Sequence, residues 1–325
     1  NSTFSSSFKI KYLNMKIGFI INDLNSMNLE KDTSVYLMKE AHARGDDVFA
    51  FDSKDVTHKA TSLYANCKKI NFPNPSELNF VIDGSESIEV KEFDFVINRL
   101  NPPFNKEYLY LTQMLEISGV DCINPAKALR ENNEKLMILN FPEIIPFTVV
   151  TNSLEEIERV FENSNIEKIV IKPLDGMGGK SIFIIEKGDK NLSVIWETVS
   201  QKGKKHFIIQ EFIEEAKLGD HRLIFIDYEL LNKKVVRVPS DKDFRGNLAV
   251  GAVSKIETVT EHDKKVAENI IPYLKENRIF FAGVDLLGGW LSEINITSPT
   301  CLQEIHKNSD LDPAKIFWDT LNKDR

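Results

Sequence analysis

The chain has 325 residues, of which 42% are hydrophobic and 28% charged, enough for a multi-lobed globular protein with ample core. Its net charge of −8 argues against a nucleic-acid partner, which leaves a basic footprint, and any Lys and Arg gathered into one cleft would stand out as an anion site. Cys67, Cys122 and Cys301 have no paired spacing, the six histidines form no metal-binding pattern, and no apolar run approaches the roughly 20 residues of a membrane span. A disulfide scaffold, a zinc hydrolase and a spanning helix are therefore not expected, and a reducing, cytoplasmic setting is.

Residues 1–14 are Ser-rich, lack a signal-peptide core, and are expected to be a disordered extension ahead of Met15. Met15–Asn22 reads as a strand. Asp32 offers an N-cap to a helix over Thr33–Arg44 that stops at Gly45, and Asp47–Phe51 reads as the next strand. This β-α-β opening implies a parallel sheet. Only Gly18 stands where a dinucleotide fingerprint needs three glycines, which excludes an NAD site. A strand at Glu92–Asn98 runs into the stiff loop Arg99-Leu-Asn-Pro-Pro-Phe104, at a strand C-terminus where α/β sheets bind ligands. A helix near Lys106–Ile117, a strand at Val120–Ile123 and a helix from Pro125 complete the first lobe, 15–137.

The middle lobe, 138–213, contains a helix over Leu154–Asn163, a strand over Lys168–Pro173 and a helix near Leu192–Gln201. A last strand spans His206–Ile213. Between its strands lies Leu174-Asp-Gly-Met-Gly-Gly-Lys-Ser181. Gly176, Gly178 and Gly179 leave backbone N–H groups free to cradle phosphate, and Lys172 can add an ammonium. The spacing is not that of a P-loop. The third lobe, 214–325, holds strands from His221 to Val238, a polar excursion 239–247, and an amphipathic helix over Glu261–Glu276. A hairpin of Phe280–Leu287 and Leu291–Thr297 closes it.

In that hairpin Glu293 and Asn295 share a sheet face. Asp285 joins them only if the turn has three residues, Gly288 to Trp290, pairing Leu287 with Leu291. A two-residue turn sends it to the other face. An exposed hairpin with a polar edge is the alternative. Converging oxygen ligands otherwise suit Mg²⁺, which leaves its remaining positions to phosphate and water.

The ordered strings Asn133-Glu-Lys135, Lys172-Pro-Leu-Asp-Gly-Met-Gly-Gly179, Gln210-Glu211, Arg245-Gly-Asn247, Asp285 and Glu293-Ile-Asn-Ile-Thr-Ser-Pro-Thr300 resemble bacterial-type glutathione synthetases. These are carboxylate–amine ligases of the ATP-grasp superfamily, and the likeness runs from Met15 to the end of the chain. It implies an ATP-grasp fold: a Rossmann-like first lobe followed by two α+β lobes enclosing ATP. It implies transfer of the γ-phosphate to γ-glutamylcysteine and attack of glycine on the acyl phosphate. Mg²⁺, or Mn²⁺ in its place, would assist, and the protein would be a homotetramer.

Position by position, the resemblance makes Asp285, Glu293 and Asn295 metal ligands, and puts Lys135, Lys172, Gly176, Gly178 and Gly179 on the phosphates. Gln210, Glu211 and Ile213 correspond to the adenine hinge, with Asp220 near the ribose and Asn247 in the nucleotide site. Arg222, Arg237 and Arg245 serve the γ-phosphate and acyl phosphate. Asp32, Ser34, Arg99 and Asn101 hold the γ-glutamyl end. The excursion before Arg245 lacks the adjacent glycines of the family pattern, and Glu211 stands where an amide is expected. Rival readings are a ligase of the D-alanine–D-alanine type and a non-catalytic ATP-binding regulator, as in synapsin-like proteins.

Overall fold

The computed structural model describes residues 14–176, 181–238 and 253–323. Three sheets appear in chain order, each drawn from one continuous stretch. The first collects β1 (Lys16–Ile20), β2 (Asp47–Phe51), β3 (Val56–Lys59), β4 (Ser62–Asn71), β5 (Val81–Glu89), β6 (Phe95–Asn98) and β7 (Cys122–Ile123). Helices α1 (Thr33–Ala43), α2 (Lys106–Ser118) and α3 (Ala126–Glu131) belong to it. Asp32 caps α1 through the N–H groups of Ser34 and Val35, and Gly45, at φ +93°, ends it, as its sequence predicts.

β1 lies between β2 and β6 and runs parallel to both. The chain leaves β1 through α1 toward β2, and leaves β6 through α2 toward β7. Diverging right-handed crossovers place α1 and α2 on opposite faces, and the crevice between the ends of β1 and β6 is the usual ligand position of such a sheet. Arg99 is the first residue past β6. The sheet is mixed rather than wholly parallel, because β3, β4 and β5 add an antiparallel flank. Nothing in the sequence reading above anticipates that flank; β5, Val-Ile-Asp-Gly-Ser-Glu-Ser-Ile-Glu, is largely exposed and carries too little apolar alternation to announce a strand.

The second sheet holds β8 (Thr148–Thr151), β9 (Lys168–Pro173), β10 (Phe183–Glu186) and β11 (Phe207–Glu211) in the order β10-β9-β11-β8, with α4 (Leu154–Asn163) and α5 (Leu192–Ser200). Its core of Ile157, Phe161, Ile169, Ile171, Ile185 and Phe207 is its own. The third comprises β12 (Asp220–Ile226), β13 (Glu229–Leu230), β14 (Lys233–Val238), β15 (Val253–Thr258), β16 (Phe281–Leu287) and β17 (Trp290–Asn295). Its main path runs β15-β14-β12-β16-β17, backed by α6 (Glu261–Glu276). Two C-terminal helices, α7 (Leu302–Lys307) and α8 (Pro313–Leu321), return to the first lobe. Trp318 donates to Leu37 O at 2.9 Å, Tyr36 to Asp312 at 2.5 Å, and one apolar core runs from α1 through α8 to β12.

Candidate active site

Two polar groups lie where the three sheets meet. The larger is built on one face of the third sheet. Register sets Asp220 opposite Arg237, Arg222 opposite Asp285, and Asp285 opposite Glu293, so side chains from four adjacent strands form a row. Arg222 grips Asp285 with two parallel bonds, Nε to Oδ1 at 2.8 Å and Nη2 to Oδ2 at 2.7 Å. Arg237 reaches the same carboxylate at 3.0 Å and also pairs with Asp220. Burial opposes ionisation of Asp285, yet the two guanidinium groups hold it down at about 2. Burial instead pushes Asp220 up to about 7, against the pull of Arg237 and with Asp285 adding to the rise.

The hairpin corrects one expectation. Its turn is the two residues Gly288 and Gly289, both at positive φ, and Leu287 pairs with Trp290 rather than Leu291. Asp285 nevertheless faces Glu293, because the register slips between Asp285 and Leu286 and leaves Ser292 as an extra residue in β17. A bulge of this kind redirects a side chain next to a site. Here it turns Ser292 toward Lys172, whose Nζ donates to Ser292 Oγ at 3.1 Å and to Gln210 Oε1 at 2.8 Å. Burial drives the Lys172 ammonium down to about 8, and among the described residues no carboxylate pairs with it. Lys135 bridges the lobes by donating to Glu293 Oε1 at 2.8 Å and to Gly176 O at 2.7 Å.

Oxygen ligands for a hard cation are present. Glu293 commits one oxygen to Lys135, and Asn295 donates its Nδ2 to Gly283 O and Asp285, which turns its own carbonyl oxygen away from those contacts. Asp285 is bound to both arginines and to Asn295. It would have to exchange one of these donors to reach a cation. No cluster of three His, Cys, Asp or Glu side chains forms a closed centre among the described residues. An open pair of ligands completed by phosphate and water fits Mg²⁺.

The second group sits at the crevice of the first sheet. Arg99, 5% exposed, donates from Nε to Ser34 Oγ at 3.0 Å and lies 5.7 Å from the Phe281 ring centre; its Nη1 is buried with no hydrogen-bond partner among the described residues. Burial lowers its pKa to about 10, so it remains a cation at neutral pH. Asn101 accepts from Ser298 Oγ at 2.9 Å. The segment Thr297-Ser-Pro-Thr300 joins the two groups, since Arg222 Nη1 also donates to Thr300 Oγ1 at 2.9 Å.

Lys135, Lys172, Gln210, Asp220, Arg222, Arg237, Asp285, Glu293 and Asn295 are thus brought together, as are Ser34, Arg99 and Asn101. Asp32 spends its carboxylate on the α1 cap. Asp220 sits in the arginine cluster. Glu211 points to solvent, and Ile213 packs against the Gly-Gly turn. Gly178, Gly179, Arg245 and Asn247 lie outside the described residues. Ser292 was missed from the sequence, and Glu134, Thr297 and Thr300 stood in the quoted strings without a role of their own. The bulge did leave a trace: the buried residues Leu291, Ile294 and Ile296 are spaced three and then two apart, which a regular strand cannot place on one face.

Family models place this chain. The model for the prokaryotic glutathione synthetase N-terminal domain matches residues 15–130, and that for the ATP-grasp domain of the same enzymes matches 134–310. Glutathione synthetase of Vibrio cholerae is 35% identical over 312 residues, 95% of this chain and 98% of that protein. The Buchnera aphidicola (Schizaphis graminum) enzyme is 34% identical over 314 residues, 96% and 98% of the two chains. Among solved structures, a D-cycloserine synthetase superposes with a TM-score of 0.67 at 15% identity, covering 94% of this chain and 98% of its own. A Chryseobacterium gregarium ATP-grasp ligase in complex with ADP and peptides gives 0.65 at 14%, covering 96% and 98%, a likeness of fold. With both domain models matched in order over the two polar groups, the chain belongs to the prokaryotic glutathione synthetase family of ATP-grasp ligases.

Proposed function

We propose that the two polar groups divide the family's reaction between them, the first sheet holding the γ-glutamyl end and the cleft between the second and third sheets holding ATP. The reaction is the ATP-dependent joining of γ-glutamylcysteine and glycine to give glutathione, ADP and phosphate. A carboxylate is a poor electrophile, so its cysteinyl carboxylate oxygen takes the γ-phosphoryl group and ADP leaves. The glycine nitrogen, having lost a proton, then attacks the carbonyl carbon, and phosphate departs with that oxygen.

ATP, γ-glutamylcysteine and the acyl phosphate are anionic, so the protein's task is positioning and neutralisation. Lys172 and Lys135 approach the phosphates from the middle lobe and the linker, and Gln210 and the backbone beside Glu211 and Ile213 receive the adenine. Arg222 and Arg237, with Arg245, meet the γ-phosphate and the acyl phosphate. Arg99 clamps the γ-glutamyl carboxylate beside Ser34 and Asn101, with Asp32 at the same crevice. Glu293 and Asn295, with Asp285, would hold Mg²⁺, which supplies Lewis-acid neutralisation of phosphate charge. Mn²⁺ as a substitute, a homotetrameric assembly, lobe limits at 137 and 213, and a cytoplasmic location belong to the same reading; the three cysteines, all free and buried, accord with the last.

The observation that carries the reading is Lys172, a half-buried cation whose hydrogen bonds among the described residues go to an amide oxygen and a hydroxyl, beside an open set of oxygen ligands. An ammonium largely withdrawn from water in that environment calls for an anionic ligand. Release of ADP measured with each substrate alone and together tests it. Turnover should require γ-glutamylcysteine and glycine jointly; ADP release with D-alanine alone, or none with any acceptor, would contradict it.

A further inference from the structure

In the segment Asn133-Glu-Lys135 only Lys135 has a part in the chemistry above, and the contacts of Glu134 are unusually directed. Among the described residues β17 is the last strand of its sheet, paired only by β16. Its other edge presents N–H groups that must find acceptors. Leu291 N donates to Ile144 O at 2.8 Å. Each of the remaining outward donors toward its C-terminal end goes to Glu134. Ile294 N meets its backbone oxygen at 3.1 Å, while Ile296 N, Thr297 N and Thr297 Oγ1 meet the single oxygen Oε1 at 2.7, 2.9 and 2.9 Å. Glu293 and Asn295 alternate with these anchored residues. The flanking side chains brace the same bracket: Asn133 Nδ2 donates to Leu174 O at 3.2 Å, and Lys135 Nζ to Glu293 and Gly176.

We propose that Glu134 is a positioning residue: its carboxylate splints the free edge of β17, fixes the heights of Glu293 and Asn295, and sets the exit of the chain into Thr297–Thr300. The inference rests on the metal role proposed for Glu293 and Asn295. All three donors to the carboxylate are neutral, so an amide oxygen at the same place serves as well as a carboxylate. A proton acceptor at position 134 would instead need the charge. That difference makes the inference testable.

The test uses the whole protein and ADP, with and without Mg²⁺, by calorimetry. In the wild type Mg²⁺ should tighten ADP binding. Glu134→Ala should shrink that gain by about tenfold or more, as removal of groups that orient metal ligands does elsewhere, while Mg²⁺-free ADP binds as before. Glu134→Gln should retain the gain within about threefold, a difference small on the scale of one tenfold step per 1.4 kcal/mol. Hydrogen exchange of the Ile296 and Thr297 amides should quicken in the alanine variant alone. The proposal is overturned if the glutamine variant is as impaired as the alanine one, if the alanine variant keeps the full Mg²⁺ gain, or if both ADP affinities fall together. Absence of any Mg²⁺ gain in the wild type would instead sink the metal role of Glu293 and Asn295.

Discussion

Half-buried Lys172 directs its ammonium to an amide oxygen and a hydroxyl, its hydrogen-bond partners among the described residues. Burial lowers its pKa to about 8, below the ordinary lysine value of about 10.4. The folded protein therefore releases this proton before the unfolded chain does, and this residue's contribution to stability rises with pH between those two values. Phosphate oxygens would restore the proton, so nucleotide binding near pH 8.5 should take up a proton that Lys172→Met does not take up. Calorimetry in buffers of different ionisation enthalpy reads this directly; the same observed heat in every buffer, meaning no uptake, would remove Lys172 from the phosphate site. Arg99 makes a different demand. Its fork can hold a carboxylate through two bonds, a geometry Lys does not reproduce. Arg99→Lys should raise KM for γ-glutamylcysteine by roughly 10- to 1000-fold, the equivalent of a few kcal/mol, with KM for ATP and glycine little moved. A larger rise for ATP would count against the assignment.

At the scale of elements, the β16–β17 hairpin shows what the sequence made legible. Gly288-Gly289 announces a turn, and Glu293 and Asn295 two apart announce a shared face. The facing of Asp285 was also expected, but through a longer turn, because period-2 reasoning assumes an unbroken ladder. The bulge at Ser292 does that work instead. Gly288 is constrained twice: its φ is +55°, and a Cβ there would lie 2.6 Å from Ile213 Cγ2. Gly288→Ala should thus cost about 2 kcal/mol from left-handed strain and overpacking, seen as a melting temperature lower by several degrees and a changed emission of neighbouring Trp290. An unchanged melt would mean that the turn is not held as described. Helices with clear caps, such as α1 and α6, were legible almost to the residue, since capping is local chemistry. The flank β3–β5 and the helices α7 and α8 were not anticipated, because they are fixed by what they pack against: Leu63, Ala65 and Cys67 under the first sheet, Phe317 and Trp318 against α1 and β16.

Across the whole molecule, the first and third lobes share continuous apolar cores, and α7 and α8 strap them together. The second sheet keeps a small core of its own and reaches the shared core through Ile208, with Val150 and Leu174 packed beside it. That inequality predicts unequal opening. Amides in β9 and β11 should exchange faster than those in β12 and β16 in the free protein, and ADP with Mg²⁺ should slow the former selectively. Uniform exchange across the three sheets would contradict a separately mobile lobe. The arrangement also explains why the site was legible as strings yet not as a shape: each string supplies one wall, and only the return of β17 beside Lys135 and Lys172 brings the walls within bonding distance. Activation of a carboxylate by phosphoryl transfer is the claim on which this account stands, and oxygen tracing measures it most directly. With γ-glutamylcysteine labelled with oxygen-18 in the cysteinyl carboxylate, each glutathione formed should be matched by one labelled oxygen in the phosphate released. Unlabelled phosphate alongside glutathione, or ADP released with no glutathione formed, would contradict it.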